Sequence, residues 1–126
     1  MTVCLIDRDR EVCDLLRVFF EARNHRCLIA QDGESGLELV HQSHPAAVFL
    51  DIRLPGMNGY EVIRRIRSSD DGLARTPVII LTSLIHQTDQ SKNQWARACE
   101  ADALLPKPFD LNELIRTVKN ATEIPV

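Results

Sequence analysis

The chain has 126 residues, a formal net charge of -3 and 44% hydrophobic content, enough to bury one core without covalent staples. With charged residues at 26%, it is neither a disordered tail nor a membrane span, since its longest apolar runs are about five residues and a bilayer needs about 20. No basic stretch followed by a long apolar one opens the sequence, so no secretory signal is expected. The slightly acidic balance argues against nucleic acid as the main partner.

The first apolar run, Val3-Cys4-Leu5-Ile6, predicts a strand, and Asp7-Arg8-Asp9 follow it. Val12, Leu15, Leu16, Phe19 and Phe20 recur at i, i+3, i+4, i+7 and i+8, the stripe of an amphipathic helix that Asp9 is placed to cap. A second run, Cys27-Leu28-Ile29-Ala30, precedes a weaker helix over about Glu34 to Gln42. His41 and His44 read as solvated helix-end residues. The third run, Ala46-Ala47-Val48-Phe49-Leu50, ends at Asp51. Gly59, Val62, Ile63 and Ile66 follow with helical spacing, Asn58 and Glu61 being set as a capping box. Ser68–Arg75 reads as a polar loop.

Val78-Ile79-Ile80-Leu81 is the fourth run and ends at Thr82-Ser83. From His86 to Gln94 the sequence HQTDQSKNQ has no apolar anchor, and only Trp95, Ala98 and Cys99 resume helical spacing. That stretch reads as a solvated loop or as a weakly packed, signal-responsive segment. Ala103-Leu104-Leu105 is the fifth run and leads into Pro106-Lys107-Pro108. Leu111, Leu114, Ile115 and Val118 then form a last helix after Asp110, with Glu113 in its first turn. Cys4, Cys13, Cys27 and Cys99 lack metal-site spacing and read as reduced, mostly buried thiols of a cytoplasmic protein.

Continuous apolar strands alternating with helices predict a (βα)5 parallel sheet covered on both faces. In open sheets of this kind the chemistry lies beyond the carboxyl ends of the strands. Asp7 and Asp9, Asp51, Thr82 and Lys107 all stand there. Singly each has an ordinary explanation, such as a helix cap, a β-branched strand residue or a surface lysine. Together they place carboxylates, a hydroxyl and an ammonium on one rim.

The segment from Phe49 to Val62, FLDIRLPGMNGYEV, resembles the phosphoacceptor segment of the response-regulator receiver family, and Leu105-Pro106-Lys107-Pro108-Phe109 resembles its fifth-strand signature. The resemblance covers essentially the whole chain. It implies a flavodoxin-like, doubly wound five-stranded sheet of order 2-1-3-4-5 that acts as a signalling receiver and not as a turnover enzyme. Asp51 would take a phosphoryl group from a histidine kinase or histidine phosphotransfer protein. Asp7, Asp51 and the Arg53 carbonyl would help hold Mg²⁺, Lys107 would pair with a phosphoryl oxygen, and Thr82 would hydrogen-bond the phosphoryl group. Lys107-Pro108 resembles the family's cis peptide. A downstream protein partner is implied, with the receiver a monomer or weak homodimer.

Three departures stand out. Arg8 replaces the second acid of the usual strand-one pair, leaving Asp9 as the candidate substitute metal ligand. Either Arg8 enters the pocket, pairs with Asp7 or Asp51 and weakens Mg²⁺ binding, or it points into solvent and Asp9 takes over. Leu104 replaces the usual aromatic of strand five, so activation is expected over His86–Ala98 in place of an aromatic flip. The stretch from Thr82 to Lys107 is also longer than usual. Two other readings compete: a receiver-like interaction module that signals without phosphorylation, and a haloacid-dehalogenase-type phosphatase using Asp7-Arg8-Asp9. Against the second stand Arg10 and the short chain. Only Thr122 to Val126 follow the last helix, so residues 1–126 are expected to be a single receiver domain, stand-alone or excised from a longer protein, with no output domain in this chain.

Overall fold

Strands of continuous apolar sequence must be covered on both faces, and the computed structural model, described over residues 1–83 and 96–126, shows how. The elements run β1 Thr2–Ile6, α1 Arg10–Glu21, β2 Arg26–Ala30, α2 Gly33–Ser43, β3 Ala47–Asp51, α3 Gly59–Arg67, β4 Val78–Thr82, β5 Ala103–Pro106 and α4 Leu111–Ala121. A further helical turn lies at 96–98. All strand pairs are parallel, in the order β2-β1-β3-β4-β5, as expected. The anchorless stretch His86–Gln94 and Trp95 lie outside the described residues.

Alternate residues of each strand face opposite layers. Cys4, Ile6, Val48, Leu50, Val78, Ile80 and Leu104 pack with Leu37 and Val40 of α2 and with Val62, Ile63 and Ile66 of α3. Val3, Leu5, Ala47, Phe49, Ile79, Leu81 and Leu105 pack with Leu16, Phe19 and Phe20 of α1 and with Leu114 and Val118 of α4. Every residue of β3 and β4 is buried. These two strands form the spine from which the site projects.

The caps are local and readable. Asp9, Asp32, Asn58 and Asp110 each accept a backbone N–H from their helix's first turn. At α3 the expected box is only half closed. Asn58 Oδ1 accepts from the Glu61 N–H at 3.1 Å, but the Glu61 carboxylate turns to Arg64 and Arg65 at 2.6 and 3.1 Å. Hydrogen bonds from those guanidiniums hold the Glu61 carboxyl down at about 2.

The loop after α3 is more than a polar connection. Leu73 is 1% exposed within the core, and Arg67 reaches Ala74 O, Thr76 O, Glu100 O and Asp102 Oδ2 at 2.6–3.2 Å. All four cysteines are free, Cys4 and Cys13 being buried and Cys27 and Cys99 half-buried. Burial pushes the Cys13 and Cys27 thiols up to about 11, consistent with inert thiols. His41 and His44 sit at the exposed end of α2, near Asp71 at 3.1 and 4.0 Å.

Candidate functional site

β1 and β3 are neighbours in register, Ile6 opposite Leu50, so the next residues, Asp7 and Asp51, emerge side by side at the carboxyl edge. β4 and β5 end together, Thr82 opposite Pro106, which brings Lys107 to the same edge. The parallel sheet thus collects residues separated by as much as 100 positions. Asp7 and Thr82 are each 1% exposed, and Asp51 is buried.

Asp51 is oriented by local geometry. Its Oδ1 accepts the Arg53 N–H at 3.1 Å, which fixes one carboxylate oxygen against the loop. α3 begins so close behind that a Cβ on Gly59 would lie 2.6 Å from Asp51 O and 2.7 Å from Ile52 Cα. Glycine there lets the helix start press on the acceptor's backbone. Gly56, at φ +72, supplies the left-handed residue of the intervening turn.

Lys107 is aimed by its backbone. Its N–H donates to Thr82 O at 2.8 Å, and the Lys107-Pro108 peptide is cis, as the resemblance implied. The ammonium lies 2.6 Å from Asp7 Oδ2 and 3.4 Å from Asp51 Oδ2. One cation is therefore shared by two carboxylates, and the shorter contact goes to the one that is not the expected acceptor. Burial works against the lysine's charge, but the hydrogen bonds and attraction of Asp7 and Asp51 raise its pKa on balance. Asp7 is also raised, by burial first and by Asp51 repulsion, although Lys107 and the Asp9 N–H oppose this.

Asp7 Oδ1 accepts the Asp9 N–H at 2.8 Å, whereas the buried Oδ2 meets, among the described residues, only the Lys107 ammonium. Such an oxygen suits a hard cation. Asp7 and Asp51 put two carboxylates at one edge, oxygen donors of the kind Mg²⁺ takes while keeping several waters. Asp9 is engaged elsewhere: its Oδ1 accepts the Glu11 N–H at 3.0 Å and caps α1. Among the described residues no group of three or more acids, histidines or cysteines is arranged to hold a metal ion. The residues fit a magnesium ion held by few protein oxygens.

Arg8 is exposed and pairs with neither Asp7 nor Asp51 among the described residues, and both carboxylates face Lys107. Arg8 nevertheless lines the cleft of about 460 Å³ that opens over Asp51, together with Asp9, Arg53, Ser83 and Lys107. The two acids of the DxD reading are not presented as a pair, because Asp7 is tied to Lys107 and Asp9 to the helix. Leu104 is buried in the α2–α3 layer. The sequence reading missed Arg67 and His25. The latter is 7% exposed, with Nε2 donating to Pro125 O at 2.8 Å. No local pattern marks either contact.

The family described as the response regulator receiver domain matches residues 3–119. "Response regulator MprA" of Mycolicibacterium vanbaalenii is 34% identical over 117 residues, covering 93% of this chain and 48% of that protein. The chain therefore spans about half the length of the curated relatives it matches. The Francisella response regulator 1452 receiver domain superposes with a TM-score of 0.77 at 26% identity, covering 92% of each chain. The BeF₃-activated N-terminal receiver domain of Klebsiella pneumoniae RstA gives 0.80 over 98% of this chain and 100% of that one, and at 22% identity it speaks for the fold alone.

Proposed function

The chain belongs to the response regulator receiver family, and we propose that it takes a phosphoryl group on Asp51 from a phosphohistidine donor and passes the signal to a protein partner. The observation that carries this is the shared ammonium: Lys107 stands 3.4 Å from a buried carboxylate that faces an open cleft.

An Asp51 carboxylate oxygen attacks phosphorus, the P–N bond to the donor imidazole breaks, and an acyl-phosphate forms. Such a transfer needs mainly positioning and charge neutralisation. The Arg53 N–H holds Oδ1 in place. Lys107 meets the incoming phosphoryl oxygens, and Thr82, buried at the end of β4 beside them, hydrogen-bonds the transferred group. When bound, Mg²⁺ supplies a divalent charge that neutralises the phosphoryl oxygens. Asp7, Asp51 and the Arg53 carbonyl would hold it, with Asp9 free to contribute only by giving up its cap.

The donor is a histidine kinase or histidine phosphotransfer protein, and the output is a change of protein contact without metabolic turnover. The unit works as one receiver domain in the cytoplasm, as a monomer or weak homodimer. No helix among the described residues is long and apolar enough to cross a membrane.

Intact-mass analysis after incubation with a small phosphodonor and Mg²⁺ tests the assignment. Wild type gains one phosphoryl mass, and Asp51→Asn gains none. An adduct that persists in the variant, or that maps to Asp7 or Asp9, refutes it.

A further inference from the structure

We propose that Arg8 grips the phosphoryl group on Asp51, supplying from the chain itself part of the positive charge this site needs. The inference rests on the receiver reading and concerns how that same site holds its ligand.

The charge inventory leads to it. Two buried carboxylates share one ammonium, and the closer contact, 2.6 Å, belongs to Asp7. A phosphoryl group carries about -1.5 to -2 charge. Once Asp51 bears one, the single ammonium shared with Asp7 faces more negative charge than it can neutralise. Other cations lining the cleft are Arg8 and Arg53, both exposed and neither in an ion pair among the described residues. Among the described residues neither has a carboxylate to abandon before it turns to a new anion.

Arg8, like Arg53, is held by its backbone at the cleft. The neighbours of Arg8 on both sides are pinned: the Asp7 N–H donates to Ala30 O at 3.1 Å, and Asp9 both donates to Asp7 Oδ1 and caps α1. Its backbone is thus held at the cleft mouth, leaving the side chain as the mobile part. A guanidinium presents a planar fork of N–H donors matched to phosphoryl oxygens, which an ammonium does not. The same positive charge that attracts the phosphoryl group repels a divalent cation. The site therefore trades one metal ligand for one phosphoryl ligand.

The two effects have opposite signs and can be read on the full chain by backbone-amide NMR. Titrations use magnesium chloride alone, then beryllofluoride at saturating magnesium chloride. Arg8→Ala is expected to bind Mg²⁺ at least as tightly as wild type and beryllofluoride at least fivefold more weakly, with Arg8→Lys recovering only part of the loss. Unchanged amide shifts away from the cleft report an intact fold. Equal beryllofluoride affinity in wild type and Arg8→Ala, with wild type still phosphorylated at Asp51, overturns the Arg8 role alone. A wild-type chain that gains no mass from the phosphodonor overturns the receiver reading and this inference with it.

Discussion

Asp7→Asn should stabilise the fold while weakening its grip on a metal. In wild type the Asp7 carboxylate is 1% exposed, faces Asp51, and has one oxygen paired, among the described residues, with the Lys107 ammonium alone. Burial, aided by Asp51 repulsion, outweighs Lys107 and the Asp9 N–H, so its pKa lies above the usual carboxylate range. The charged form of Asp7 therefore costs stability at neutral pH. An asparagine keeps an acceptor for the Asp9 N–H and leaves Lys107 to Asp51 alone. Relief of a strained functional site is commonly worth about 1 kcal/mol, or about 4 °C for a chain of this size. The sign with pH follows from the raised pKa. Wild type is free of the penalty below the unfolded-state value and bears it fully only above the folded-state value. Urea unfolding at pH 7.5 and 4.5 should show Asp7→Asn the more stable at the higher pH, with the gap narrowing at the lower. A variant less stable than wild type at pH 7.5, or a gap independent of pH, would refute the reasoning.

Asp9→Ala removes the α1 cap and should cost about 1 kcal/mol in urea unfolding. Asp9→Asn should retain most of that stability and bind Mg²⁺ nearly as wild type does, whereas a large loss of Mg²⁺ affinity would make Asp9 a ligand after all. Arg67→Ala breaks contacts to four acceptors on two loops and should cost roughly 2–3 kcal/mol. Arg67→Lys should recover less than half, since one ammonium cannot span those acceptors, and a loss under about 0.5 kcal/mol for the alanine variant would show the hub to be incidental. Gly36→Ala places a Cβ 2.6–2.8 Å from three atoms of the Ile6 side chain, so overpacking should exceed the gain in helix propensity by about 1 kcal/mol. Adding Ile6→Val should restore part of it in the same unfolding assay.

Period and punctuation in the chain already determined a great deal. Apolar runs such as Val78-Ile79-Ile80-Leu81 read as doubly buried strands because both faces of β4 are covered, and Asp9 and Asp110 read as caps because a cap bonds its own first turn. That Asp7, Asp51, Thr82 and Lys107 gather at one edge was also legible, since each stands at the end of an apolar run and the strand order brings those ends together. Only the tertiary structure decided how the charges are shared. Lys107 sits nearer Asp7 than Asp51, Asp9 serves the helix, and Arg8 lines the cleft with no ion pair among the described residues. Arg67 binding Glu100 O, and His25 binding Pro125 O, belong to the same class. Local pattern reports which side a residue faces within a few positions of chain. Which of several partners a long side chain selects depends on the register and separation of elements brought together from distant parts of the sequence.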